Sequence, residues 1–505
     1  MHKASNRLKS FNKPDLLFSL VVALGIVLRL VQYFANRSFW VDEASLALNI
    51  VNRTFGALTL PLDYNQGAPI GFLFIEKFAI LILGNNEYSL RLFPLFSGLL
   101  SVYLIYRIAK EQFGISGLFA VLLISISTPL IYYSSELKQY SSDVMFALLL
   151  VYLSILCLRE NPRTGNFILL GIAGVLSIWI SHPSAFVLAG IGLILAVEKL
   201  LKKTYSQLAW ILGMGLMWLL MLGMTYLISL RYLIGSKYLE NYWFNDFMPL
   251  PPWSHLDWYK NAFASLLTNI SPSFNQLYLV EGCFVLILIG MVSLFLRSRK
   301  IALIIISPFL VASIASAMQK YPLGGRLILF LVPFATLLMA EGLGRIYSIC
   351  AIWNRNVAVL LSGSLAMIIL WMPGGGALHD ALMPPMGEHI RPVLAYVQAH
   401  MQQDDVIYVY SGSVTQFRYY AFSYGLDTDH AIVAENSSGA KRFMDDVNNL
   451  KGTNRIWFIF SHVIGCGDCQ GDKVQFYVQS LDKYGVQLDS FAAPGAAVFL
   501  YDLNP

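Results

Sequence analysis

The stretch LLFSLVVALGIVLRLVQYFANRSFWVDEA, Leu16 to Ala44, decides how this chain is read. Leu16 to Phe34 is an apolar run long enough to cross a bilayer. Lys3, Arg7, Lys9 and Lys13 precede it, so the positive-inside rule holds its start in the cytoplasm. Ser38-Phe39-Trp40-Val41-Asp42-Glu43-Ala44 then emerges on the far face. Two adjacent carboxylates at a membrane exit, set among aromatics, point to chemistry just outside the hydrocarbon.

The rest of the chain repeats the membrane signal. Hydrophobic residues make up 56% of it and charged ones 13%, about half the charge of a soluble protein. The net charge of +5 is modest and lies mostly in short loops and tails. The basic residues form no single patch interleaved with aromatics, which argues against nucleic acid as a partner. After the first span, apolar runs are expected near 88–110, 113–133, 140–158, 166–181, 184–198, 207–229, 277–296, 301–318, 326–347 and 356–373. Arg107 and Lys110, Arg159 and Arg163, Lys199 to Lys203, Arg297 to Lys300, and Arg345 and Arg355 then all fall on the cytoplasmic side. That predicts about eleven crossings, a retained first helix, and a carboxyl terminus outside the cytoplasm. Ala68 to Leu83 is apolar but short and carries Glu76-Lys77. Laid along the outer interface it keeps every basic cluster inside. The first outer loop then runs over 36–88 with two interfacial helices, about 42–52 and 69–83, and Glu76-Lys77 on the polar side of the second.

The outer segment Arg231 to Gln276 is rich in Tyr, Trp, Pro and Asn, which suits the headgroup layer. Pro373-Gly374-Gly375-Gly376 reads as a hinge. Beyond 388 charge rises and apolar runs shorten. Helices are expected at 390–402, 413–422, 440–450 and 472–484. Strands are expected at 405–410, 430–434, 455–461, 487–491 and 496–502. That alternation predicts a small extracytoplasmic α/β domain over 388–505. The fold class is thus mostly α, a polytopic membrane module over 1–373 followed by this domain. Cys466 and Cys469 lie in a loop-like CxxC, best read as a local disulfide outside the cytoplasm. Arg418-Tyr419-Tyr420 reads as a helix face packed on the sheet.

Polar groups at the outer span ends gather at one depth. They include Asp42, Glu43, the turn Ser134-Ser135-Glu136-Leu137-Lys138-Gln139-Tyr140, His182, and the turn Lys320-Tyr321-Pro322-Leu323-Gly324-Gly325-Arg326. A lipid-borne anion would find cations there with its tail in the bilayer, and a carboxylate to take a proton from an incoming nucleophile. The plainer readings are an N-cap for Asp42, a solvated turn for Glu136 and Lys138, and a snorkelling Arg326. A transporter or lipid flippase and a partner-binding assembly protein are the alternative classes. The spans carry few mid-membrane charges and no paired broken helices, which weighs against transport.

Several of these stretches resemble GT-C glycosyltransferases, above all the branch with protein O-mannosyltransferases and the lipid A aminoarabinose transferase. The resemblance runs from the acid pair through Gly67-Ala68-Pro69-Ile70-Gly71-Phe72-Leu73, Arg91-Leu92-Phe93-Pro94, Tyr132 to Tyr140 and Gly324-Gly325-Arg326-Leu327. The family often has a His or Lys and two prolines where this chain has Gly67-Ala68-Pro69. The topology places the protein in the inner (plasma) membrane, and the resemblance implies an enzyme that passes a sugar from a polyprenyl-phosphate carrier to a lipid, glycan or protein acceptor. It implies inversion, with Asp42 as general base and Glu43 supporting it or sharing a divalent metal ion. Lys138, Arg326 and Lys320 would hold the donor phosphate, and Glu136, Tyr140, His182 and Tyr321 would line the substrate. No cofactor is otherwise called for.

Overall fold

The structure is a computed structural model that describes residues 13–434, 440–463 and 473–504. Cys466 and Cys469 lie outside the described residues. The membrane module opens with α1 (Lys13–Phe34), the short α2 (Val41–Asn52) and α3 (Ile70–Leu83), and then α4 (Glu87–Phe113). The next helices are α5 (Gly117–Ile126), α6 (Thr128–Tyr133), α7 (Tyr140–Cys157), α8 (Thr164–Ile180), α9 (Ser184–Leu201) and α10 (Tyr205–Thr225). Short helices α11 (Arg231–Ile234), α12 (Lys237–Tyr242) and α13 (Leu256–Thr268) cross the aromatic segment. The module closes with α14 (Leu277–Arg297), α15 (Arg299–Ala317), α16 (Val332–Trp353) and α17 (Arg355–Leu382).

Each of the eleven expected spans coincides with helix. By length and composition, nine helical stretches among the described residues suffice to cross a membrane. One of them, Glu87–Ile126, is 40 residues long, twice what a bilayer needs. It holds two antiparallel helices, because Gly114 takes φ 57° and turns the chain back between α4 and α5. The span that α5 starts is completed by α6. Ser127 ends the first piece and caps the second, its hydroxyl accepting from the Leu130 N–H, with Pro129 in the first turn. The shorter apolar helix Thr164–Ile180 makes up the set. Leu219, Leu220, Leu360, Leu361 and Trp371 point outward, a surface that suits lipid rather than water.

α3 has 14 residues, about 21 Å of helix against a hydrocarbon core of about 30 Å. Its Glu76 is not on a wet face. The side chain is fully buried and neither carboxylate oxygen has a partner among the described residues. Burial holds this carboxyl well above its ordinary value, which favours its neutral form. Lys77 donates to the Ile50 and Val51 carbonyls at 2.9 and 3.0 Å, closing the end of α2 where orphan carbonyls favour a cation.

The stretch read as a hinge is helical. α17 continues through Pro373 and the three glycines to Leu382, with Ile369, Pro373 and Ala377 buried at four-residue spacing. Membrane helices tolerate such residues because neighbours satisfy the freed backbone groups, and packing here overrides the local signal.

The carboxy-terminal domain follows the expected alternation. It contains α18 (Ile390–His400), β1 (Val406–Val409), α19 (Val414–Tyr420), β2 (Ile432–Val433), α20 (Ala440–Asn449), β3 (Ile456–Ser461), α21 (Lys473–Leu481), β4 (Val486–Ala493) and β5 (Ala496–Asp502). The sheet order is β2-β1-β3-β5-β4. β1 pairs parallel with β2 and β3, whereas β5 is antiparallel to β3 and β4. β3 is buried along its whole length, as a central strand covered on both faces must be. One apolar core joins this domain to the first loop. Phe39, Leu46, Ile50, Phe72 and Leu90 share it with Val393, Val397, Phe417, Tyr420, Trp457 and Val498. The Arg418-Tyr419-Tyr420 face is therefore not simply a sheet-packing surface. The Tyr420 hydroxyl donates to Glu87 at 2.9 Å and accepts from the Phe39 N–H at 2.8 Å, so it docks the domain on the membrane module.

Candidate active site

Three elements converge at one end of the module: the start of α2, the turn before α7, and the turn before α16. α2 begins at Val41 with Trp40 as its N-cap, and Asp42 is its second residue. Asp42 is therefore not the cap, and its carboxylate is directed elsewhere. Successive residues on a helix project about 100° apart, and here Asp42 and Glu43 take separate sets of partners.

Glu43 turns inward. Arg91 on α4 donates to both carboxylate oxygens, Nε to Oε1 at 2.8 Å and NH2 to Oε2 at 2.7 Å. The Leu137 N–H also donates to Oε1 at 2.8 Å, and Arg37 stands 4.0 Å from Oε2. Glu43 is 0% exposed and Arg91 2%. Burial would raise the Glu43 carboxyl, but Arg91 and then Arg37 outweigh it and hold it below its ordinary value. Paired in this way, the charge is compensated and the first loop is tied to α4 and to the Lys138 turn. The expected catalytic and metal roles of Glu43 do not fit this geometry, because its oxygens are already occupied. A divalent ion does not fit the acid pair. The two carboxylates diverge, Asp42 faces two cations, and no group of three or more His, Cys, Asp or Glu gathers among the described residues.

Asp42 turns toward the opening and is 22% exposed. Arg326 pairs directly with its Oδ2 through a short contact. Lys138 Nζ lies 3.8 Å from the same oxygen, and Gln66 Nε2 donates to Oδ1 at 3.2 Å. Lys138 donates to the Gln66 side-chain oxygen at 2.6 Å, so Gln66 bridges acid and cation beside Gly67. Burial would raise the Asp42 carboxyl. Lys138 and Arg326 reverse that, hydrogen bonds from Gln66 and Arg326 add to them, and the group is lowered to about 2. Lys138 is itself drawn below its ordinary value, by burial first, with Asp42 opposing.

The turns explain why the cations reach this point. Gly325 takes φ 50°, in the left-handed region that favours glycine. Its N–H donates to Ser265 at 2.9 Å and its carbonyl accepts from Asn269 at 2.7 Å. The Leu323 N–H donates to the Asp246 carbonyl at 2.8 Å. The aromatic segment between α10 and α14 thus holds the Arg326 turn. Arg326 stacks over the Trp40 and Tyr140 rings, 5.3 Å to each centroid.

The other expected residues divide. Tyr140 is in the cluster. Tyr321 supports it, donating to the Leu327 carbonyl at 2.7 Å with its ring on Phe186. Glu136 is fully buried with neither oxygen partnered among the described residues. Burial, then the charge of Glu43, pushes its carboxyl up to about 7. It is therefore no solvated turn acid. The His182 ring makes no hydrogen bond among the described residues, and burial lowers it to about 4, so it is neutral near pH 7. Lys320 is exposed after a turn in which Gln319 takes φ 56°. The cations that reach Asp42 are Arg326 and Lys138, and Lys320 is not among them.

Arg91, Arg37 and Gln66 join the site beyond the residues expected from the sequence. A buried arginine in an apolar helix is a signal in itself; Gln66 left none.

The fold is that of a polytopic membrane protein, and its architecture is similar to that of solved GT-C structures. Residues 67–227 match the family model described as dolichyl-phosphate-mannose-protein mannosyltransferase. Among solved structures, ArnT from Cupriavidus metallidurans bound to undecaprenyl phosphate is similar at 14% identity and TM-score 0.50, covering 95% of this chain and 97% of that one. The oligosaccharyltransferase of Archaeoglobus fulgidus, in complex with Zn and sulfate, is similar at 12% identity and TM-score 0.50, covering 97% of this chain and 73% of that one. No curated protein matches by sequence.

Proposed function

We propose that this protein is a polyprenyl-phosphate-dependent glycosyltransferase of the inner membrane, acting on its outer face with the carboxy-terminal domain outside the cytoplasm. The observation that carries the reading is the open carboxylate of Asp42 held by two cations, Arg326 and Lys138, at the ends of membrane-spanning helices. The mannosyltransferase family match over 67–227 supports it. So does the undecaprenyl phosphate held by the similar ArnT structure.

In the resting site Asp42 stands where an anion is welcome. A carboxyl near 2 is a poor base at neutral pH. A carrier phosphate competes for Arg326 and Lys138, and as they turn to it the Asp42 carboxylate regains basicity. Asp42 then removes the proton from the acceptor hydroxyl or amine. The acceptor atom bonds to the anomeric carbon as the bond to the phosphate oxygen breaks. The electron pair leaves on the carrier phosphate, where Arg326 and Lys138 stabilise it. One displacement with one base inverts the anomeric centre. The sugar is a hexose or pentose unit, and the acceptor a lipid, glycan or protein.

The test is transfer of radiolabelled sugar from polyprenyl-phosphate donors to membrane extracts. Asp42→Asn is expected to lose about 10²–10⁴-fold in rate. Undiminished transfer by a folded Asp42→Asn protein would refute the base assignment.

A further inference from the structure

The segment that carries Asp42 is held from more than 300 residues away. The N-cap of α2, Trp40, supplies no side-chain acceptor, and a helix start leaves its first N–H groups unpaired. Here the Val41 N–H donates to Glu388 Oε2 at 2.9 Å. Gln416 Nε2 donates to the same oxygen at 3.2 Å and to the Phe39 carbonyl at 2.8 Å. His462 Nδ1 lies 2.5 Å from the other oxygen, Oε1. One carboxylate, at the positive end of a helix, thus joins the first helical residue to two groups of the carboxy-terminal domain. Next door, His389 Nδ1 is 2.8 Å from the Ser38 hydroxyl. The His462 ring lies 6.4 Å from the Trp40 ring, on which Arg326 stacks.

We propose that Glu388 is a positioning residue for the reaction: it caps α2 from the carboxy-terminal domain and so fixes Asp42 against Arg326. Glu388 touches neither Asp42 nor a reacting atom; it acts through the Val41 N–H, one residue before the acid. The domain that could be taken for a separate partner-binding unit completes the catalytic helix instead. Misplacement of a reacting group by about 1 Å costs as much as 10²-fold in rate, so a lost cap here reaches kcat rather than donor binding. The proposal rests on Asp42 being the base.

The experiment uses the full chain in lipid nanodiscs and compares wild type with Glu388→Ala, Glu388→Gln and Asp489→Ala. Asp489 accepts from Tyr396 at 2.9 Å within the same domain and serves as the control for general loosening. Two quantities are read, transfer kinetics and deuterium uptake by the amides of residues 39–45. Glu388→Ala is expected to lower kcat about tenfold with donor KM within about twofold, and to raise uptake at 39–45. Glu388→Gln, whose amide oxygen still accepts from Val41, is expected to restore both. Wild-type uptake at 39–45 in Glu388→Ala would overturn the proposal, as would changes no larger than those of Asp489→Ala. If Asp42→Asn retains transfer, the base assignment fails on its own, and uptake at 39–45 still decides whether Glu388 clamps the helix.

Discussion

Asp42 and Glu43 are neighbours in sequence and belong to different regions of the molecule. Glu43 faces a dry, closed centre of Arg91, Arg37 and the Leu137 N–H. Asp42 faces an opening and meets Arg326, Lys138 and Gln66. Both are held ionised by cations, Glu43 by Arg91 and Arg37 and Asp42 by Lys138 and Arg326, yet the consequences differ. A sealed pair has fixed partners and can only be broken, at a structural cost. An open pair can exchange its carboxylate for an incoming anion, which is what a transfer site needs. Exposure of 0% against 22% separates the two roles better than charge does.

Substitutions can break that contrast. Glu43→Ala leaves Arg91 buried and uncompensated, and is expected to cost about 3–5 kcal/mol in denaturant unfolding of the detergent-solubilised protein. A smaller loss than Asp42→Ala would undo the assignment of Glu43 to the framework. Arg326→Ala is expected to reduce kcat by about 10²–10³-fold, with unfolding little changed, because it removes a donor needed as the phosphate leaves. Transfer kinetics on the purified variant check this.

Glu136 sharpens the contrast through pH. Its carboxyl is raised by burial and by Glu43, to about 7 from an ordinary 4.5. The native state then holds a proton that the unfolded chain releases, so stability falls as pH rises from about 4.5 through about 7. Glu136→Gln mimics the protonated form and is expected to flatten that slope, by on the order of 1 kcal/mol between pH 5 and 8. Unfolding curves at the two pH values decide it. Lys320→Ala is expected to change kcat by less than about twofold, since an exposed side chain with no fixed partner among the described residues contributes little. A drop comparable to that of Arg326→Ala would return Lys320 to the site.

The legible part of this site is the part set by span ends. Asp42, Lys138, Tyr140 and Arg326 each sit within a few residues of a helix start, and hydropathy places those starts at a common depth. The alternation of the carboxy-terminal domain was equally readable, because its strands are short apolar runs bounded by turn residues. What escaped depends on partners distant in sequence. The fate of Glu43 is decided by Arg91, 48 positions on, and the cap of α2 by Glu388. Nothing local marks either pairing. The helical period alone, however, already sets the two adjacent acids about 100° apart. Pro373 and its glycines misled for the opposite reason, since their strong local preference for a break yields to packing along α17.

The most direct test compares Asp42→Asn and Glu43→Gln in one preparation, measuring sugar transfer per folded molecule and the thermal midpoint of each. Asp42→Asn should keep its midpoint and lose transfer. Glu43→Gln should melt at lower temperature and keep transfer within about tenfold when folded, because its carboxylate acts on the framework rather than on substrate. The reverse pattern, a stable Glu43→Gln without activity beside an active Asp42→Asn, would contradict the division of roles between the two acids.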